Sequence, residues 1–360
     1  MYLRLLGQEN FRNLRGARLR LEGNRHFLLG KNGQGKSNLL EAMGYIGALR
    51  SFRTHETRAL LKKGCEQARL LYEWEEEPGQ GDSVEVVLRK GGKRVSINGE
   101  FLKTLSALVG RYPTLTLHGA DLQLLEGPPG ARRRFLDLFL SMLSQDYLRS
   151  YKRYTQALDG RNRLLKKARL DGAQCEAFER EMGESAHFLQ CFREDLLASL
   201  SSSFQSYYQA ISPRDEAPSL TYRASTKIDR AEDFPALLKK EREKDAIVGT
   251  TRQGPHRDDF RFGLLESDAR NFASEGQKRG LVVALRLGQC DLFQQRLKQR
   301  PLLLADDIIG ELDPERRRRF WDCFDPEIQV VATGTQLPDP QFETWQIFRV
   351  EEGKVDSQAL

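Results

Sequence analysis

Gly30-Lys31-Asn32-Gly33-Gln34-Gly35-Lys36-Ser37 is a complete G-x-x-x-x-G-K-[ST] phosphate loop. Three glycines let backbone N–H groups turn inward on an anion. A helix running on through Asn38 adds the positive end of its dipole. Lys36 offers a point charge to outer phosphates and Ser37 a hydroxyl to a magnesium ion. The chemistry is polyphosphate binding. A second group, Pro301-Leu302-Leu303-Leu304-Ala305-Asp306-Asp307, is an apolar run ending in two acids, the Walker B pattern. Buried carboxylates at a strand end need a pair or a metal. Asp306 is placed to hold magnesium together with Ser37, and Asp307 to aim at a water attacking a γ-phosphate. A third group, Ser274-Glu275-Gly276-Gln277, opens a helix and exposes free N–H groups there. On its own it is equally an ordinary helix cap with an acid in the first turn.

Elements that could position these groups follow from periodicity. The apolar run His26–Leu29 predicts a buried strand before the phosphate loop, and Asn38–Met43 predicts the helix after it. Alternation predicts further strands at Tyr2–Leu6, Arg18–Leu21, Ala68–Trp74, Ser83–Lys90, Lys93–Ile97 and Thr114–Leu117, with hairpin signals at Gly91-Gly92 and Asn98-Gly99. After Gly127-Pro128-Pro129-Gly130 the texture turns helical, through Arg132–Leu143, Tyr147–Leu170 and Gln174–Tyr208. Leu189, Phe192, Leu196 and Leu200 form a packing stripe there. A short strand at Ser219–Tyr222 and a helical stretch ending near Ala246 follow. A helix Gly276–Leu297, the run Leu302–Ala305, a helix Pro314–Phe324 and a strand Gln329–Thr333 then alternate as in an α/β nucleotide-binding domain. The expected fold is an α/β phosphate-loop ATPase head, mixed sheet plus parallel core, with an inserted helical arm. The expected divisions are 1–125, 126–247 and 248–360.

The chain of 360 residues is 39% apolar, enough for a sizeable core, and carries a formal charge of +6. That balance favours an anionic partner. No stretch approaches eighteen uninterrupted apolar residues and the N-terminus lacks a signal-peptide centre, so a cytoplasmic protein without membrane attachment is expected. Five scattered cysteines, with no C-x-x-C pair, argue against a disulfide framework or a zinc site.

The order of the three groups is that of ATP-binding-cassette ATPases, and several further blocks narrow the resemblance. These are Asn10-Phe11-Arg12-Asn13-Leu14, Asp121–Pro129, Arg132–Asp137, Gly254-Pro255-His256-Arg257-Asp258-Asp259 and Glu311-Leu312-Asp313. With Gly30–Leu40, Phe272–Arg279 and Leu304–Asp313 they span nearly the whole chain. The sequence resembles the RecF family of DNA-repair ATPases. The resemblance implies that ATP with Mg2+ joins two copies. Ser274, Glu275, Gly276 and Gln277 of one copy would close over the nucleotide of the other, with Asp313 crossing the interface and Arg12-Asn13 near the adenine. It implies a homodimer that clamps duplex or gapped DNA, works with RecR and RecO to help load RecA, and hydrolyses ATP slowly with stimulation by DNA.

Two departures stand out. Thr333-Gly334-Thr335 occupies the place of the switch histidine of many cassette ATPases, and the Q-loop glutamine has two competitors, Gln123 as a metal-side ligand and His118 nearer the strand end. Asp307 is one methylene shorter than the usual glutamate. Arg132-Arg133-Arg134 opposes the dipole at a helix start, so acids or phosphates must face it. Arg316–Arg319 fans around its helix, divided between solvent and an interface. Neither His118 nor His256 sits in a metal-ligand pattern; each is a surface candidate or a hydrogen-bonded structural residue. Two other classes fit a phosphate loop, a transporter ATPase subunit and a small-molecule kinase. A third reading is a head that binds ATP without hydrolysing it.

Overall fold

Alternating burial builds the antiparallel half of the molecule. Ala68, Leu70, Tyr72 and Trp74 point into the core while Arg69 and Glu73 face out, the period of two expected of a one-sided sheet. The computed structural model describes residues 1–54, 56–167, 171–212, 214–307, 310, 312–338 and 345–358. Strands β1 (Tyr2–Glu9), β2 (Ala17–Arg20) and β3 (Arg25–Leu29) lead through the phosphate loop into α1 (Lys36–Ala48). Next come β4 (Gln67–Glu77), β5 (Gln80–Arg89), β6 (Gly92–Ile97), β7 (Glu100–Phe101) and β8 (Thr114–His118). The helices α2 (Gln123–Glu126), α3 (Pro129–Leu143), α4 (Gln145–Leu165) and α5 (Gly172–Ile211) follow. Then come β9 (Ser219–Arg223), α6 (Asp233–Lys240), α7 (Arg242–Val248), β10 (Asp259–Leu264), β11 (Ser267–Asp268) and α8 (Ala269–Phe272). The chain closes with α9 (Glu275–Leu297), β12 (Leu302–Asp306), α10 (Pro314–Asp322), β13 (Val330–Gly334), β14 (Gln346–Glu351) and β15 (Lys354–Gln358).

Two compact units result. The first holds Met1–Asp121, Tyr207–Asp215 and Glu275–Leu360; the second holds Leu122–Ser206 and Glu216–Ser274. In the first unit an antiparallel sheet runs β2-β1-β4-β5-β6-β7, and a second sheet runs β15-β14-β3-β13-β12-β8, parallel except for β15. The inner strands β3, β12 and β13 read as continuous buried runs, as strands covered on both faces must. One core joins Leu3, Leu6, Leu39, Met43, Tyr72, Val86 and Leu304, so α1 is packed by apolar side chains of both sheets. Asn98 and Gly99, at φ 52° and 84°, make the two-residue turn between β6 and β7.

The second unit is mainly helical, with the small sheet β11-β10-β9. Pro129 starts α3 at its first turn, three residues earlier than the apolar pattern suggests, because proline's missing N–H is harmless there. Ser144 caps α4 by accepting from the Tyr147 N–H at 3.2 Å. Leu189, Leu196 and Leu200 are buried as a packing stripe. The expected helix end at Leu170, and Glu311, lie outside the described residues.

The hairpins β14–β15 and β10–β11 are not marked in the sequence pattern. The run before β14 is rich in proline and polar residues and masks a strand that pairs in parallel with β3. Its turn, Glu352 and Gly353 at φ 47° and 74°, is a primed hairpin turn on a less distinctive dipeptide than Asn-Gly.

Candidate nucleotide site

The phosphate loop is shaped by its neighbours in the parallel sheet. A side chain at Gly30 would place its Cβ 2.3 Å from the Val350 carbonyl oxygen, so only glycine lets β14 lie this close. From the other side the β14–β15 turn grips the loop. The Gly353 N–H donates to the Gln34 carbonyl at 2.9 Å, and the Glu352 N–H to Gln34 Oε1 at 2.7 Å. Lys31, Asn32 and Gln34 are thus carried on a backbone fixed at both ends. Gly33 and Gly35, at φ 79° and 113°, make the turns between them. Gly35 is the N-cap of α1 and gives no side-chain cap, which leaves the first-turn N–H groups available to an anion.

Lys36 is buried, and its ammonium donates to the carbonyls of Gly30 at 2.7 Å and Lys31 at 3.2 Å, holding it over the loop. Ser37 Oγ donates to Asp306 Oδ1 at 2.9 Å, which brings the loop and the Walker B strand together. A hydroxyl beside a carboxylate, with no thiolate or imidazole, is the hard oxygen set that magnesium prefers when phosphates complete its shell. Among the described residues no group of three or more His, Cys, Asp or Glu side chains is arranged to hold a metal without such help. The loop and the Ser37–Asp306 pair therefore fit ATP and Mg2+.

Thr333 joins this cluster from the place that the resemblance gives to a switch histidine. Parallel pairing of Ala305 with Ala332 sets the end of β13 beside the end of β12. Thr333 Oγ1 then lies 3.1 Å from Asp306 Oδ1 and 3.0 Å from Asp307 Oδ1, and accepts the Asp307 N–H at 3.0 Å. Its single proton can serve only one carboxylate at a time. Asp307 is held at φ 56°, a left-handed conformation that aspartate tolerates. A cavity of about 590 Å3 opens beside it, lined by Asn32, Arg317, Trp321, Thr333 and Trp345 among others.

Arg12 and Asn13 reach α1 from the segment after β1. Arg12 grips Glu41 through Nε at 2.8 Å and Nη2 at 2.7 Å, and the fully buried Glu41 also accepts from Ser51. Asn13 Oδ1 accepts from Asn38 Nδ2 at 2.7 Å, and Asn38 Oδ1 from Arg53 at 2.6 Å. Glu41 is an anchor that the sequence pattern does not assign, because its partner Arg12 lies 29 residues away.

A second cluster in the same unit gathers the start of α9. Gly276 has no side chain, and Arg316 Nη1 lies 2.6 Å from where its Cβ would be. Arg316 Nη1 also pairs with Asp313 Oδ2 at 3.2 Å, while Asp313 Oδ1 caps α10 by accepting the Arg316 N–H at 3.0 Å. Glu275 is exposed and pairs with Lys278 at 3.6 Å; Gln277 is half-buried. Of the arginine run, Arg317 lines the cavity beside Asp307, Arg318 is exposed and Arg319 pairs with Glu315 at 2.9 Å. Ser274 and Gln123 are exposed residues of the second unit. His118 pairs with Asp306 across the parallel strands, stacks on Phe52 at 5.0 Å and lies 3.5 Å from Asp121. Burial lowers its pKa, against the pull of Asp121.

The family model described as the RecF/RecN/SMC N terminal domain matches residues 2–333. The DNA replication and repair protein RecF of Synechococcus sp. (strain JA-3-3Ab) is 34% identical, over 99% of this chain and 97% of its own length. RecF of Symbiobacterium thermophilum is 33% identical, over 99% and 98%. A solved structure of the recombination mediator protein RecF with ATP in the RecFOR pathway superposes with a TM-score of 0.91 at 28% identity, covering 99% of this chain and 98% of that one. The head domain of an Smc protein from Pyrococcus furiosus, at 16% identity and a TM-score of 0.55, shares the fold. This chain belongs to the RecF family of DNA replication and repair proteins and has the fold of the RecF and SMC ATPase heads.

Proposed function

We propose that this protein is an ATP-dependent DNA-binding protein of recombinational repair, in which ATP joins two copies into a clamp on duplex DNA near single-strand gaps. The observation that carries the reading is the Ser37–Asp306–Thr333–Asp307 cluster at the mouth of the phosphate loop. Full-length relatives named RecF place it in repair rather than transport, so the transporter reading is not favoured. In this reading 1–125 and 248–360 are the two halves of the ATPase and 126–247 is the arm.

Magnesium bound by Ser37 and Asp306 would neutralise charge developing on the phosphate oxygens. Lys36 exchanges the carbonyls of Gly30 and Lys31 for outer phosphate oxygens, and the loop N–H groups from Gly30 to Asn38 cradle the rest. Asp307 takes the proton of the attacking water, and the Thr333 hydroxyl holds the Asp307 carboxylate in place. Arg12 and Asn13 flank the base, and Gln123 completes the metal side. Ser274, Glu275, Gly276 and Gln277 of the second copy close over the nucleotide, with Asp313 at the shared face. Hydrolysis is slow, stimulated by DNA, and resets the clamp. RecO and RecR are the partners that the pathway name carries, loading RecA is the outcome, and the cytoplasm is the setting.

Light scattering with ATP, with ADP and without nucleotide, each with and without a short duplex, tests the reading. A dimer is expected only with ATP, while Lys36→Met and Ser274→Arg remain monomeric. A monomer at saturating ATP that still binds duplex normally would overturn it.

A further inference from the structure

The second unit carries a basic cleft that the nucleotide chemistry does not use. It is built on Gly254-Pro255-His256-Arg257-Asp258-Asp259, where a short 3-10 turn runs into β10. The acids around it are already engaged. Asp258 accepts from Arg193 at 2.9 Å, from the Ser225 N–H at 2.8 Å and from the Tyr222 hydroxyl. Asp137 accepts from Arg193 at 2.7 Å and Tyr147 at 2.6 Å, and Asp259 takes Arg132 through two bonds of 2.7 and 2.9 Å.

Three arginines remain without a carboxylate of their own. Arg133 is half-buried and donates to the Asp258 carbonyl at 2.9 Å; burial lowers its pKa, the aspartates oppose that, and Arg193 and Arg257 add to it. Arg257 is exposed and reaches the Thr251 carbonyl at 3.3 Å. Arg134 is exposed and has no acidic partner among the described residues. Five arginines, 132, 133, 134, 193 and 257, thus meet three aspartates, 137, 258 and 259, an excess of two positive charges. Consecutive helical residues diverge by about 100°, yet Arg133 Nη2 and Arg134 Nη1 both lie 3.7 Å from where a Gly130 Cβ would be. Their guanidinium groups thus converge over residue 130. A cavity of about 200 Å3 sits there, lined by Arg133, Arg134, Tyr151, Tyr154, Thr155 and His256 among others. Small-molecule sites run to roughly 300–1,000 Å3, so this one suits a single phosphate group better than a whole nucleotide. His256 is fixed as a neutral wall. Its Nε2 donates to the Thr251 carbonyl at 2.9 Å, which leaves Nδ1 to accept from Tyr154 at 2.7 Å.

We infer that this cleft holds one backbone phosphate of duplex DNA, gripped by Arg133 and Arg134 with Arg257 at the rim, an assignment that rests on the DNA-binding reading above. Arg132, the first member of the run, is structural.

Fluorescence anisotropy with a short duplex in saturating ATP, across a salt series, tests this. The variant is Arg134→Gln with Arg257→Gln, both exposed and safe for folding; the charge-matched control is Arg149→Gln with Arg163→Gln, also exposed. The variant is expected to lose about tenfold in affinity and to flatten the slope of log affinity against log salt by about one, with ATP affinity unchanged and the control near the unmodified protein. Equal loss in variant and control overturns the cleft and leaves the DNA-binding reading intact. A loss of ATP affinity in the variant overturns it in favour of a nucleotide phosphate. No duplex binding by the unmodified protein overturns both.

Discussion

The phosphate site of the first unit holds its carboxylates in different company from the ion pairs of the second. In the second, acids meet arginines: Arg161 bridges Glu179 at 3.1 Å and Asp245 at 2.8 Å, Arg193 bridges Asp137 and Asp258, and Arg132 takes Asp259. In the first, Asp306 and Asp307 meet hydroxyls, those of Ser37 and Thr333. An acid matched by a guanidinium is neutralised and acts as a fastener. An acid matched by a hydroxyl has no compensating cation beside it and remains available to one. The first unit has fasteners too, Glu41 with Arg12 and Asp121 with Arg286, so the same residue types are structural in both units and chemical at Asp306 and Asp307.

That contrast breaks if a hydroxyl-matched acid proves structural. Asp307→Asn should slow ATP hydrolysis by about 10²–10⁴-fold, the usual worth of a positioned general base, with nucleotide affinity and melting temperature nearly unchanged. Single-turnover hydrolysis beside a thermal melt measures both, and a variant that hydrolyses normally would remove Asp307 from the chemistry. The converse holds in the second unit. Arg161 is fully buried and also bonds Thr251 at 2.7 Å and the Leu238 carbonyl at 3.0 Å, so Arg161→Met takes one of two guanidinium partners from each of the buried Glu179 and Asp245, which keep Arg242 and Arg252. A loss of about 3 kcal/mol is expected, from two hydrogen bonds to charged groups at about 1.5 kcal/mol each. Urea unfolding should show it in the transition that reports the second unit. An unchanged midpoint would mean that Arg242 and Arg252 satisfy both acids without Arg161.

Acid should act on both units alike. His26 in the first and His256 in the second are each lowered to about 4 by burial. Protonation therefore favours the unfolded chain, whose histidines titrate near 6.5. No penalty exists above pH 6.5, stability falls as pH drops from there towards 4, and the loss levels off below 4. Each histidine contributes up to about 3 kcal/mol of that loss. Hydrogen exchange at pH 7.5 and 5 checks it, and His26→Gln or His256→Gln should flatten the dependence in its own unit alone.

Local signals made the loop and its two strands legible. The phosphate loop, the Leu302–Asp306 run and the alternation of Ala68 to Trp74 depend on residues a few positions apart. The fates of Arg132 and Arg133 were not legible, because they are decided by Asp259 and the Asp258 carbonyl, 127 and 125 residues away. Gly353 was equally hidden. Its positive φ and its bond to Gln34 matter only once β14 has paired with β3, some 320 residues away. Glu41 reads as an ordinary helix residue until Arg12 arrives from β1's far end. Each omission is a long-range pairing that no spacing encodes.

Thr333 is the sharpest test of the contrast, because its hydroxyl has one proton for two acids. With Asp306 and Ser37 turned to a metal, that proton is free to fix the Asp307 carboxylate, and losing it removes one hydrogen bond to a charged group. The cost is about 1.5 kcal/mol, near tenfold in rate. Thr333→Val keeps the shape and the β-branch of the strand end and removes only the hydroxyl; Thr333→Ser keeps the hydroxyl and loses the methyl. If the hydroxyl positions Asp307, Val lowers kcat about tenfold at constant KM for ATP, Ser restores it, and Val in an Asp307→Asn background costs nothing further. If it only satisfies the Asp307 N–H, Val lowers the melting temperature, leaves kcat unchanged and adds its effect to that of Asp307→Asn.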